Sequence, residues 1–357
     1  MSLFSHRIFL AVSLAHLTVD VFSNMGPVLV TFFSRPMDLS ATRIGLAIGA
    51  YQFIASLTQP FFGWLSDRIG SRWLGTVSVP WTVGCMALAV FVAQTSNNFG
   101  LFMIPFSLAA VGSGAFHPQG TVHAGTAVIS RAATATAIFF LFGQAGLASG
   151  PMLAGLILDT LGPAGIYGAA MLSIPILLFI AASMRQVATP AANPHVGLTT
   201  ARLTRTESIR WGALALLALL VGLRSWAFLG TASFLPKIFQ NMGWAAFSYG
   251  SITGIYWLTS GISGVLAGNL GASHSIIVVI AQNLLPGRKA FASGVTLGYM
   301  FGVGAAAVWG IGALADGWGL TPVIQAGAVI GIMAALLAVV LPATRAAVEG
   351  QPEGAAV

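Results

Sequence analysis

Charge is what this chain has least of. Lys, Arg, Asp and Glu together make up 6% of its 357 residues, against about 25% in an ordinary soluble domain. So few ionic groups cannot coat a globule of this size, which excludes soluble-enzyme and soluble nucleic-acid-binding classes. Acidic residues are scarcest, at eight. Five of them (Asp38, Asp67, Asp159, Asp316, Glu207) read as loop or helix-end positions, and Glu349 and Glu353 fall in the C-terminal tail. The single cysteine, Cys85, excludes an intramolecular disulfide. No G-x-x-x-x-G-K-[ST] phosphate loop occurs, and no His/Cys/carboxylate cluster has metal-ligand spacing along the chain. The sequence therefore predicts no enzyme activity, no cofactor and no metal. A cleavable leader is not evident either, because the first apolar stretch is as long as a membrane span and no A-x-A-like site follows it.

What is present is apolar. Hydrophobic residues reach 57%, the mean hydropathy is +0.88, and the 43 glycines suit close packing of membrane helices through small side chains. With roughly 20 apolar residues needed per bilayer crossing, spans are predicted near 8–33, 43–65, 74–94, 99–122, 132–158 and 164–184. Further spans follow near 211–236, 246–268, 290–315 and 322–342, with a short apolar piece at 272–285. This divides the chain into a six-helix bundle (1–184), a polar linker (185–210), a second bundle (211–342) and a disordered tail (343–357). Placing the N-terminus in the cytoplasm puts Arg7, Arg68, Arg72, Arg131, Arg185, Arg202, Arg205, Arg210, Arg288, Lys289 and Arg345 inside, and only Arg35, Arg43 and Lys237 outside. That bias predicts cytoplasmic termini and a cytoplasmic linker. The formal charge of +7 thus sits in short loops facing lipid headgroups, and no nucleic-acid partner is expected.

The two bundles repeat one another. Gly49, Tyr51, Gly63 and Leu65 match Gly254, Tyr256, Gly268 and Leu270 at an offset of 205, and Gly26 matches Gly230 at 204. Beyond that the offset falls to 157: Gly114, Ala115, His117 and Val122 match Gly271, Ala272, His274 and Val279. Arg131, Gly155, Asp159 and Gly162 match Arg288, Gly312, Asp316 and Gly319. The second copy is therefore shorter by about 48 residues, with the junction near Leu270. The reading is an all-α polytopic membrane protein of about eleven spans whose second half lacks the equivalent of one helix. Between Gly268 and Arg288 a long or broken helix, a re-entrant segment or inverted final spans all remain open.

Two ionisable residues fall near the middle of spans, Asp20 in the first and Arg224 in the seventh, at repeat-equivalent positions. A charge at that depth faces a cavity or pairs with another charge. An Asp20–Arg224 contact across the halves follows as an expectation, with His16 one helical turn from Asp20 on the same face. His117, before Pro118 and Gln119 in the fourth span, is a further polar candidate. After the second span stands Gly63-Trp64-Leu65-Ser66-Asp67-Arg68-Ile69-Gly70-Ser71-Arg72. Gly63 allows close helix approach, Asp67 suits a neighbouring helix N-terminus, and Arg68 and Arg72 suit anionic headgroups. The repeat counterpart of Asp67 is Ala272, so this latch occurs once.

That loop resembles the signature G-x-L-x-D-R-x-G-x-R of the major facilitator superfamily. Ala15-His16-Leu17-Thr18-Val19-Asp20, Phe116-His117-Pro118, Leu223-Arg224-Ser225-Trp226 leading to Phe234-Leu235-Pro236, and Gln282-Asn283-Leu284-Leu285-Pro286-Gly287-Arg288 are similar to the fosmidomycin-resistance-like group within it. The resemblance implies a two-bundle transporter with helices one and seven lining a central cavity, working as proton-driven efflux of small organic molecules, a phosphonate among them. Gln119 stands where that group leads one to expect an acid, which leaves Asp20 as the proton-linked carboxylate and Arg224 as its partner or an anion anchor. His16, His117 and Gln119 are secondary contacts, and Gly63, Asp67, Arg68, Gly70 and Arg72 form a conformational latch. The expected setting is the inner membrane of a bacterium, as a monomer, with a small molecule and protons as partners. The competing reading is a non-transporting paralogue or partner-binding subunit, motivated by the missing segment.

Overall fold

The structure, a computed structural model, describes residues 3–70, 72–128, 131–185, 211–266 and 289–340. After a short turn of 3-10 helix at Leu3–Ser5, the described residues form twelve helices: α1 (Arg7–Asn24), α2 (Gly26–Ser34), α3 (Ala41–Ile69), α4 (Arg72–Ser96), α5 (Phe99–Ala127), α6 (Ala132–Thr160), α7 (Gly165–Leu172), α8 (Ile174–Met184), α9 (Trp211–Asn241), α10 (Ala246–Leu266), α11 (Lys289–Trp318) and α12 (Leu320–Val340). Helices α1–α2 and α7–α8 are two rods broken at proline, so ten rods stand where ten spans are read from the sequence. Eight rods are long and apolar enough to cross a membrane. The piece at 272–285, the linker and the tail lie outside the described residues, and with them the question of an eleventh span.

The break in the first rod has a local cause. Pro27 opens α2 and has no N–H to donate to Ser23, one turn earlier. The Ser23 side-chain hydroxyl at the same level accepts from the Tyr51 hydroxyl at 2.7 Å, which satisfies that hydroxyl inside the bundle, as lipid depth demands. Burial separates central rods from peripheral ones. In the most apolar window of each rod, 67% of α1–α2 is buried but only 17% of α7–α8 and 11% of α12. Leu172, Leu178, Ile332 and Leu336 are exposed there and form a surface for lipid.

Two long contacts join the halves, α3 against α11 and α6 against α10. They are copies of each other under the offsets read from the sequence. A methyl added at Gly155 of α6 would lie 2.2 Å from the Ala246 carbonyl oxygen of α10, and one at Gly312 of α11 would lie 2.5 Å from the Ala41 carbonyl oxygen of α3. From the other side, Gly250 meets the Pro151 carbonyl at 2.3 Å and Gly45 meets the Val308 carbonyl at 2.7 Å. Only residues without a Cβ let backbones approach this closely. The internal repeat is therefore a packing symmetry as well as a sequence pattern, and the shortening of the second half leaves both contacts in place.

Candidate functional site

Three side chains from the first half meet at the centre. Asp20 on α1 is 4% exposed, and one of its carboxylate oxygens lies 3.2 Å from His16 Nε2 while the other lies 3.2 Å from His117 Nε2. The helical repeat explains the first contact, since His16 and Asp20 are four residues apart on one face. The second comes from α5, 97 residues further along the chain. Each ring is pinned at its other nitrogen: His16 Nδ1 donates to the Phe139 carbonyl at 2.8 Å and His117 Nδ1 to the Ser113 carbonyl at 2.7 Å. His16 is also stacked on Phe139, with centroids 4.1 Å apart.

These carbonyls fix the chemistry of the triad. A carbonyl only accepts, so both Nδ1 atoms carry hydrogen, and in a neutral ring Nε2 is then a bare lone pair. A lone pair facing a carboxylate oxygen at 3.2 Å is repulsive unless a proton lies between them. Each His–Asp contact therefore requires a proton, on the imidazole or on the carboxyl group. With a proton in each contact the arrangement is attractive, and without one it is repulsive. The sequence expectation that no cluster has metal-ligand spacing is corrected here. The fold brings Nε2 of both histidines and the Asp20 carboxylate within 4.8 Å of one another, which spacing along the chain could not reveal because His117 belongs to another helix.

Asp20 and His117 face two adjoining cavities. Arg224 enters the second from α9, with Phe228, Trp257 and Phe301 around it. Its guanidinium lies 5.9 Å from the centre of the Phe228 ring. Asp20 thus finds its ion-pair partners within its own half, and its relation to Arg224 is that both line one cavity from opposite halves. Gln119 does not join them. It is fully buried, its Nε2 donates to the Ala115 carbonyl at 2.7 Å, and its Oε1 points toward Gly75 of α4.

Sequence reasoning passes over the uncharged members of the site. Gln52 and Gln59 on α3 line the first cavity, Gln144 on α6 the second, and Trp257 on α10 both. Among the described residues, the Oε1 atoms of the three glutamines and the Trp257 indole N–H are buried without a hydrogen-bond partner, which is unusual for groups so costly to leave unpaired. The only sequence signal for Gln52 and Gln59 is their seven-residue spacing, two turns apart on one face of an otherwise apolar span. Trp257 carries no signal that separates it from other membrane tryptophans.

The predicted latch residues lie at one end of α3. A methyl at Gly63 would come within 2.5 Å of the Ala290 carbonyl oxygen of α11, and the Asp67 carboxylate accepts from the Phe291 N–H at 3.1 Å in the first turn of α11. The Arg68 guanidinium sits over the Trp64 ring at 4.3 Å. Gly70 ends the helix at φ 81°, a conformation that side-chain-bearing residues rarely adopt, and α4 begins at Arg72.

The sequence profile of the Major Facilitator Superfamily matches residues 8–286 of the chain. The chain belongs to this superfamily. Among its relatives are the fosmidomycin resistance protein of Escherichia coli (strain K12), 26% identical with 86% of each chain covered, and the uncharacterized MFS-type transporter YfnC of Bacillus subtilis (strain 168), 25% identical with 93% of each covered. Similar solved structures include a bacterial homologue of the human lysosomal transporter Spinster in an inward-facing, occupied conformation. It has a TM-score of 0.65 and 13% identity, and the match covers 96% of this chain and 97% of that one. A mutant of the nucleoside transporter NupG has a TM-score of 0.59 and 14% identity, covering 94% and 98%. The chain is thus a multi-pass membrane transporter of major-facilitator fold and not an enzyme.

Proposed function

We propose that this chain is a proton-coupled exporter of small organic anions in the inner membrane of a bacterium, with both termini cytoplasmic. The observation that carries the reading is the buried His16–Asp20–His117 triad, whose two contacts each require a proton and which opens onto the cavity holding Arg224. Binding of protons completes the triad, and their release leaves a carboxylate and two lone pairs in repulsion at 3.2 Å. That difference is a driving force for rearranging α1 against α5.

The opposite wall suits the cargo. Arg224 and the unpaired Trp257 N–H supply positive charge and a donor, while Phe228 and Phe301 supply an apolar surface. An anionic head with a compact organic body fits this division, with protons handled by the first half and the anion held by the second. Helix movement about a midplane site between related bundles then gives alternating access. The competing non-transporting reading loses its motivation, because both contacts between the halves are complete despite the shortened second half.

Fosmidomycin, a phosphonate, is the probe suggested by the Escherichia coli relative. In inverted vesicles with an imposed pH gradient, the chain should accumulate fosmidomycin, and dissipating the gradient should abolish uptake. Asp20→Asn should keep the protein folded and remove the dependence on the gradient. Gradient-driven uptake by Asp20→Asn equal to that of the parent would refute the assignment.

A further inference from the structure

At the end of the bundle opposite the Gly63–Arg72 loop, two aspartates each close one contact between the halves. The Asp159 carboxylate, at the end of α6, accepts from the backbone N–H of Ala246 at 3.1 Å and of Phe247 at 2.8 Å, the first two residues of α10. The Asp316 carboxylate, at the end of α11, accepts from the N–H of Ala41 at 2.7 Å and of Thr42 at 3.0 Å, the first two residues of α3. In both cases the acid belongs to one half and the capped helix to the other. Asp159 and Asp316 are repeat mates at offset 157, and the capped residues are mates at offset 205. A helix N-terminus has unsatisfied N–H groups and partial positive charge, so a carboxylate there is a bond as well as a cap. Here each cap spans the boundary between the halves.

The same end carries a third strap. Lys237 Nζ on α9 donates to Ser34 at 2.8 Å, Gln240 Nε2 donates to the Thr31 carbonyl at 2.8 Å, and an Arg35 guanidinium N–H donates to the Gln240 carbonyl at 3.0 Å. These bonds tie α2 to α9. At the other end Asp67 caps α11 across the halves.

We propose that Asp159 and Asp316 are paired positioning residues for transport. They hold the bundle shut at their own end, against the Asp67 cap on α11 at the other end. The inference rests on the alternating-access reading above. It concerns the balance between the two ends, independently of which solute or coupling ion uses the site.

The test reads shape without cargo or gradient. In a Cys85→Ala background, spin labels are placed at Leu161→Cys and Met242→Cys. These exposed positions sit at this end, one in each half. Pulsed electron paramagnetic resonance on the full chain in nanodiscs then gives the distance distribution. The parent should be dominated by the short distance. Losing a helix cap corresponds to roughly a fivefold population shift, so Asp159→Ala with Asp316→Ala should move the long-to-short ratio by about 25-fold, and each single variant by about fivefold. Asp67→Ala should move it the opposite way. Should the double alanine variant fail to fold, Asp159→Asn with Asp316→Asn keeps one neutral acceptor per cap and should shift the ratio part-way. A folded double variant of either kind with an unshifted distribution would overturn the proposal, as would an Asp67→Ala shift in the same direction. Failure of the Asp20 vesicle assay leaves this result standing, and an unshifted distribution leaves the proton assignment standing, so the two ideas fail separately.

Discussion

Gly143 offers a way to break the triad without altering any of its ionisable groups. A methyl at this position of α6 would lie 2.4 Å from His16 Cε1, 2.5 Å from His16 Nε2 and 2.9 Å from an Asp20 carboxylate oxygen. Ordinary contact begins at 3.4 Å, so Gly143→Ala must displace the imidazole by about 1 Å. The ring has little freedom to yield sideways, being stacked on Phe139 and bonded through Nδ1 to the Phe139 carbonyl. The displacement therefore opens the 3.2 Å contact with Asp20. Overpacking costs about 1–3 kcal/mol, and replacing glycine in a helix returns roughly 1 kcal/mol, so the variant should fold with a nearly unchanged melting temperature. Loss of one charge-assisted hydrogen bond, about 1.5–3 kcal/mol, corresponds to roughly a 10- to 100-fold fall in gradient-driven fosmidomycin uptake. Gly168→Ala, where nothing lies within 4 Å, is the matched control and should transport normally. Parent-like uptake by Gly143→Ala with an intact fold would show that the His16–Asp20 contact does not carry the coupling.

Three further outcomes follow from the same geometry. Arg224→Lys keeps the charge but loses the planar fork that grips a phosphonate, so fosmidomycin binding measured by tryptophan fluorescence should weaken about tenfold while the fold is retained. Trp257→Phe keeps the aromatic wall and removes the unpaired indole N–H, and should weaken the same titration about fivefold. Gly155→Ala and Gly312→Ala insert a methyl against backbone carbonyls at 2.2 and 2.5 Å. The two should raise the long-distance fraction between spin labels at Leu161→Cys and Met242→Cys by similar factors, because the two contacts are copies of each other.

The rods were legible in the sequence because twenty apolar residues in a row have one physical use. The breaks within the first and sixth rods were not, since Pro27 and Pro175 mark where a helix is interrupted without saying whether it continues on the same axis. Asp20, His16 and His117 were legible as polar groups at apolar depth, but their convergence was not, because it depends on α5 lying beside α1. The partner expected for Asp20 illustrates the limit. Repeat equivalence placed Arg224 at the matching level of the other half, and the structure puts it on the shared cavity, yet the contacts that set the chemistry of Asp20 come from neighbouring turns and helices of its own half. The neutral site groups, Gln52, Gln59, Gln144 and Trp257, leave no trace in charge or periodicity. They become conspicuous only through unpaired polar atoms in buried positions.

The aspartates at helix ends teach the opposite lesson. In sequence, Asp159 and Asp316 read as loop or helix-end positions, matched to each other at offset 157 within the internal repeat. Packing gives that agreement its meaning. Each carboxylate reaches the first two N–H groups of a helix in the other half, and glycines one turn inward, Gly155 and Gly312, let the helices approach closely enough for it to do so. A glycine four residues before an aspartate, at the end of a span that faces its repeat mate's partner, is thus a readable pattern once its geometry is known. The 48-residue shortening falls between α10 and α11 and disturbs neither copy, because the residues that build this end all lie before Leu266 or after Lys289. The half that lost sequence kept what closes this end of the bundle.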